Sequence, residues 1–372
     1  MAYILPLAPK SCPKGFSLIE LMVAMVLGLT VVLAIATLSL DSTRSYRSMD
    51  RAGQLIENGR FAIDHLTAAV EHAGYYGTFS DLSRVNSGSQ PTDPCLIPDD
   101  LTSWNNDLLY PIVGYKYMPT GCNVDSKNII ANTDILVIRR VDTTPYIWLD
   151  NLGNSGDWCL LESGKSSKSE NPCGNSPTKP EKNFVYLQTT PDDLTFSIRT
   201  GDTANDFNPS LITSPPNNSN LKKPDGTPAD IRRYHIDIYY LNPKASSTDK
   251  ESIPSLKKIF LPKKDVSISN LQQSVVDGIE NMQIQFGIDS DKDGIPDTFQ
   301  SPQTLSSDIL SSDVVAIRIN LLARSLDADP EYTDNKAYLL NPENSLFSPQ
   351  GNYRRRVFSQ IVRIVNVSGR SE

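Results

Sequence analysis

The sequence predicts an α+β fold: one long N-terminal helix packed on an antiparallel β-sheet that carries large loop insertions. Three observations lead to it. In a chain of 372 residues, no proline falls between Lys14 and Gln90, whereas every proline after Pro13 lies at or beyond Pro91. Residues Leu18–Leu40 form an apolar run broken only by Glu20, Gly28, Thr30, Thr37 and Ser39. Past residue 130, short segments carry apolar side chains with a period of two, the mark of half-buried strands. Composition narrows the function. Lys and Arg number 35 against 43 Asp and Glu, a formal balance of −8, which makes a poor general binder of nucleic acid. With 39% hydrophobic and 21% charged residues, the bulk is a polar, foldable chain.

The apolar run comes first. At a rise of about 1.5 Å per residue, a helix over Leu18–Leu40 spans roughly 34 Å, enough for a bilayer core of about 30 Å. Lys10 and Lys14 precede it, with no acidic residue from Met1 to Ser17. Three readings compete. A secretory signal peptide has a shorter apolar core and a small-x-small cleavage site. A plain signal anchor fits the length but leaves Glu20 unexplained, and a carboxylate inside an apolar span is costly enough to be a functional candidate. The third reading accounts for it. Lys14-Gly15-Phe16-Ser17-Leu18-Ile19-Glu20-Leu21 resembles the processing site of type IV prepilins. The resemblance implies cleavage between Gly15 and Phe16 by a prepilin peptidase, N-methylation of Phe16, and a Glu20 carboxylate that meets the new α-amino group of Phe16, on the same or a neighbouring subunit, to set register. Arg44, Arg47 and Arg51 argue for the opposite orientation by charge, but the cleavage motif requires the N-terminus inside. The segments that follow are a leader at 1–15, a transmembrane or fibre-core half-helix at 16–40, an amphipathic half-helix at 41–77 and a β-rich body at 78–372.

The cysteines agree with export. There are five, and loss of the leader removes Cys12, leaving Cys95, Cys122, Cys159 and Cys173. An even count fits two disulfides in an oxidising compartment. Of three pairings, the local ones, Cys95–Cys122 and Cys159–Cys173, are expected; the alternative is four free buried thiols. No pair has the CxxC spacing of a zinc or redox site.

Beyond the membrane run, Ala52, Leu55, Ile56, Gly59, Ala62, Ile63, Leu66, Ala69, Val70 and Ala73 recur at steps of three and four, so the helix continues to about Ala73 with one apolar face. Gly28, Gly53 and Gly59 weaken it by roughly 1 kcal/mol each relative to Ala. His65 and His72, seven apart, are read as solvated or half-buried side chains and not as metal ligands, and His235 as part of a strand. With three histidines and no nucleophile motif, a hydrolytic triad is not expected.

Strands are predicted at Ile135–Val141, Phe184–Gln188, Leu194–Arg199, Ile231–Leu241, Leu256–Leu261, Met282–Ile288, Val314–Leu322 and Val357–Val367, with loops at about 150–182 and 200–230. Leu55-Ile56-Glu57-Asn58-Gly59-Arg60-Phe61-Ala62, Ala73-Gly74-Tyr75-Tyr76-Gly77, Val276-Asp277-Gly278-Ile279-Glu280-Asn281-Met282 and Tyr353-Arg354-Arg355-Arg356-Val357-Phe358 are similar to segments of the PilW family of minor pilins.

Asp289, Asp291, Asp293 and Asp297, with the Ile295 carbonyl, follow the pattern of a calcium loop. Hard Ca²⁺ takes six to eight oxygens, and alternate carboxylates on a tight turn supply them. Gln300 stands where an EF-hand places its closing Glu, and a strand precedes the loop, so an EF-like loop between strands is expected. The alternative is a solvated acidic turn. The basic runs Arg232-Arg233 and Arg354-Arg355-Arg356 are expected to pair with acids, not with DNA.

Taken with the resemblance, these features imply a structural, non-enzymatic subunit. It would be held in the inner membrane by one pass, with its body periplasmic, and later join the pilus tip. Its partners would be other minor pilins in a priming complex and a large tip adhesin, in service of twitching motility and adhesion. A minor pseudopilin of a type II secretion system is the alternative, and a signal-anchored periplasmic enzyme a third reading.

Overall fold

The structure, a computed structural model, describes residues 15–79, 82, 91–96, 104–149, 157–167, 171–174, 178–191, 194–199, 207–210, 221–224, 226, 228–244, 252–261, 268–302, 314–343 and 346–368. The chain divides into two compact units, Met1–Ala52 and Gly53–Glu372. Helix α1, Leu18–Glu71, begins in the first and ends in the second.

In the first unit the helix is exposed throughout its apolar run, with Leu18 at 79% and Leu33 at 57%. It is long and apolar enough to cross a membrane. The polar groups inside the run are largely self-satisfied. Thr30 Oγ1 donates to the Leu27 carbonyl and Thr37 Oγ1 to that of Ala34, at 2.8 and 2.9 Å. A hydroxyl bonded to its own helix costs little in lipid, which leaves Glu20 as the one ionisable group of the run.

In the second unit, the described strands build two antiparallel sheets. The larger holds β1 (Ile112–Tyr115), β2 (Ile135–Val141), β3 (Tyr146–Leu149), β4 (Asp157–Leu160), β5 (Val185–Thr189), β6 (Leu194–Arg199), β7 (Phe207–Ser210), β8 (Ile231–Asn242), β9 (Ser255–Leu261) and β10 (Gln272–Asp277). Strand β8 is its spine. It pairs with β2 over Tyr234–Tyr239, with β9 over Ile236–Asn242 and with β5 over Ile231–Arg233. The smaller sheet runs β12 (Thr298–Gln300), β11 (Ile279–Ile288), β13 (Val314–Arg324), β14 (Arg355–Arg363). The chain passes from one sheet to the other at Gly278, whose φ of +85° is left-handed and whose missing Cβ would lie 2.8 Å from the Arg324 carbonyl oxygen. Only glycine takes both the angle and the contact without strain.

Strand β2 is buried on both faces, which explains why five of its seven residues are apolar. Leu136 and Ile138 join Leu55, Ala62, Ile63, Leu66 and Val70 of α1 in one core, together with Met282, Ile284 and Phe286 of β11 and Ile317, Ile319 and Leu321 of β13. Ile135, Val137 and Val141 join Tyr76, Trp104, Leu108, Tyr234 and Ile236 in the other. Leu66 and Val70 are fully buried, worth about 1.5–3 kcal/mol each. Beneath the second face Arg139, fully buried, donates from Nη1 to the Tyr110 carbonyl at 3.1 Å and lies 3.5 Å from Asp107 Oδ2. That pair fixes the segment around Trp104 to the sheet. Cys95 is bonded to Cys122 and Cys159 to Cys173, with Cα separations of 4.8 and 6.0 Å.

Several expectations are corrected. Two sheets, not one, receive the helix. The stretches 150–182 and 200–230 are not loops throughout: they hold β4 and β7, and a bridge joins Lys222 to Pro228. The last predicted strand ends at Arg363, and Val365–Ser368 is a helical turn. The helix stops at Glu71, two residues short of the expected end, where the chain turns through Gly74.

Candidate functional site

The processing end is built by the first turn of α1. Because the helix starts at Leu18, Ser17 is its N-cap and Glu20 the third residue inside. The Ser17 backbone N–H donates to Glu20 Oε2 at 3.1 Å, the return half of a capping box. The carboxylate therefore already points back along the chain, one residue short of Phe16. Phe16 is 88% exposed, and around Gly15 nothing among the described residues lies within 4 Å of where a Cβ would stand. The bond between Gly15 and Phe16 thus sits in open chain next to the acid. The remainder of the leader, Met1–Lys14, lies outside the described residues. Sequence reasoning assigned Glu20 a partner in the processed chain and missed its capping role in the uncut one. The Ser-x-x-Glu spacing of Ser17 and Glu20 was the available signal.

The acidic loop links β11 to β12. Carboxylate oxygens of Asp289, Asp291 and Asp297 lie within 4.8 Å of one another. Asp289, 2% exposed, accepts from the backbone N–H groups of Lys292 at 2.7 Å and Gly294 at 2.7 Å, and Asp297 Oδ2 accepts from Ser290 N–H at 2.8 Å. Asp293 is not one of the three, and its Oδ1 accepts from Ile295 N–H at 2.7 Å. The Asp293 N–H draws the Asp291 carboxyl down, but repulsion from Asp293 and Asp297 together with desolvation outweighs it and holds the group above its ordinary value. Three acids converge on one point, a donor set of hard oxygens that fits a hard cation. The Ile295 side chain is 65% exposed.

Three of the five arginines in the basic runs hold acids. Arg355, fully buried at its side chain, holds Glu280 and Asp334. Arg354 holds Asp329 at 3.1 Å and Arg233 holds Glu181 at 2.7 Å. Arg232 donates to the carbonyls of Asp142 and Thr143.

An apolar helix headed by a capped glutamate runs on into a helix buried against antiparallel sheets, the α+β arrangement that the sequence predicts. Residues 10–36 match the prokaryotic N-terminal methylation motif, and residues 238–366 match the family of the type IV pilus-assembly protein W, PilW. The C-terminal third of the chain is thus similar to the PilW family, and its N-terminus to the methylation motif of prepilins. The prepilin motif and the apolar run make the first half of α1 a single-pass inner-membrane anchor. Among solved structures, a type IV-like pilin from Thermus thermophilus is similar at 12% identity, over 50% of this chain and 84% of that one, with a TM-score of 0.23. No curated protein sequence matches.

Proposed function

We propose that this chain is a minor pilin of the PilW type that acts in a priming complex at the pilus tip, where it joins other minor pilins, initiates fibre assembly and supports a large tip adhesin for adhesion and twitching motility. Supporting this reading is the placement of Glu20. A carboxylate carried into a helix bundle bears a large desolvation cost unless a cation meets it. Cleavage after Gly15 would create an α-amino group one residue from the amide that Glu20 already holds. The charge pair then forms only in a processed subunit, so that assembly waits on processing. The role is one of packing, and no catalytic step is invoked. In the experiment, Glu20→Ala replaces the wild-type gene as sole copy. Normal cleavage with loss of surface pili and of twitching supports the reading, while normal piliation contradicts it. Normal pili with a loss of enzyme secretion would instead point to a secretion pseudopilin.

The acidic loop is proposed to hold Ca²⁺ through Asp289, Asp291 and Asp297, with Asp293 and the Ile295 carbonyl as further oxygens of the loop. The cation would neutralise three clustered carboxylates and tie β11 to β12. Its role here is structural.

A further inference from the structure

The chain has three histidines, and all three gather at one seam between the end of α1 and the larger sheet. His65 and His72 line a groove there with Ala68 and Ala69 of α1. Opposite them stand Arg140 of β2, Asp142 and Thr143 just after it, Asp237 and Tyr239 of β8, and Lys258 of β9. His235 lies behind, its Nε2 2.6 Å from Asp142 Oδ1. His65 is the polar contact across this groove, at the rim of the apolar packing of Leu66 and Val70. Its Nε2 is 3.3 Å from Tyr239 Oη, and its ring meets that of Tyr239 edge-on at 5.7 Å.

The charges around it are already committed. Asp237, 1% exposed, lies 3.5 Å from Arg140 Nη2 and 3.2 Å from Lys258 Nζ. Asp142 is taken by His235 and lies 3.9 Å from Arg140 Nη1. A protonated His65 would add a cation to a groove whose buried acid is shared by two cations, next to Lys258. His72, just past the end of α1, offers no relief, since its Nδ1 is 2.7 Å from the Ala68 carbonyl one turn back.

We propose that this seam is an acid-sensitive clasp: neutral His65 braces the last turns of α1 against Tyr239 of β8, and protonated His65 loosens them while the apolar core and both sheets stay folded. The direction of titration agrees. Burial, then the charge of Lys258, hold the imidazole below its ordinary value of 6.5, against a smaller opposing pull from Asp237. The neutral form is favoured in the folded chain, so the contact is complete above the ordinary value and is lost as pH falls through the lowered one. Loosening of these turns makes their local openings more frequent, which hydrogen exchange detects.

The test is hydrogen–deuterium exchange of the full chain in lipid nanodiscs at about pH 7.5 and about pH 5, corrected for intrinsic rates. Protection over residues 62–71 should fall roughly threefold or more at the lower pH, with β11 and β13 unchanged. His65→Gln, neutral at both values, should abolish the difference. Lys258→Gln, which removes the repelling cation, should shrink it and carries the test alone should His65→Gln fail to fold. Equal protection at both pH values in the wild type, an undiminished loss in His65→Gln, or parallel loss in β11 and β13 would overturn the proposal.

Discussion

Arg355 and Glu280 form a two-pronged ion pair, with Nε donating to Glu280 Oε2 at 2.5 Å and Nη2 to Oε1 at 3.1 Å. The third guanidinium nitrogen, Nη1, donates to Asp334 Oδ2 at 3.1 Å. The pair ties the start of β14 to the start of β11 across β13, and so joins two segments whose sequences carry the PilW resemblance. A planar fork matched to a carboxylate is a role Lys cannot fill. Arg355→Met strands two acids, one of them fully buried, and is expected to cost about 3–5 kcal/mol. Urea unfolding of the full chain in detergent checks this; a loss under about 1 kcal/mol would place the network among weak surface pairs.

Gly59 faces Phe358 across the helix–sheet contact. A Cβ on residue 59 would stand 2.1 Å from Phe358 Cε2. The glycine is there because β14 comes close, so its helix penalty is offset by packing. Gly59→Ala should destabilise by about 1–3 kcal/mol through overpacking. In a double-mutant cycle with Phe358→Ala, the two losses should fall short of adding. Full additivity would mean that the contact does not matter.

Acid should undo the Arg355 network through Asp334. Burial pushes that carboxyl up, but the Tyr338 hydroxyl, the Arg355 guanidinium and the Lys336 N–H outweigh it, so it titrates below its ordinary value of 3.8. The stabilisation is present above that value and is lost as pH falls through the lowered one. Between about pH 4 and about pH 2 the wild type should lose more stability than Asp334→Asn, as read by thermal unfolding at each pH.

Calcium should raise the unfolding temperature of the full chain at millimolar concentration, and a chelator should reverse the gain. Asp291→Ala and Asp289→Ala should both abolish the response, the second with a loss of stability even without metal, since Asp289 also caps Lys292 and Gly294. Titration calorimetry without heat at millimolar Ca²⁺ would remove the cation from the account.

Much of this was legible in the sequence, for a physical reason: a helix with no proline and a face repeating at three and four residues is dictated locally. The long strands β8, β11 and β13 were legible through alternation. The second sheet was not. In β2, consecutive residues enter different cores, and a strand buried on both sides carries no period to show what covers it. β4 and β7 are four residues long, too short for a pattern, and β7 contains Pro209. The pairing of Glu280 with Arg355 depends on the register of β11, β13 and β14, so the basic run predicted a partner without naming it. The gathering of three histidines at one seam, from positions 65, 72 and 235, depends on the same long-range packing.

The central claim is that processing after Gly15 frees the amine that Glu20 answers. Mass spectrometry of the subunit recovered from purified pili tests it most directly. The account predicts an N-terminal peptide that begins at Phe16 and carries one methyl group, while a peptide that still begins at Met1, in assembled fibres, would contradict it.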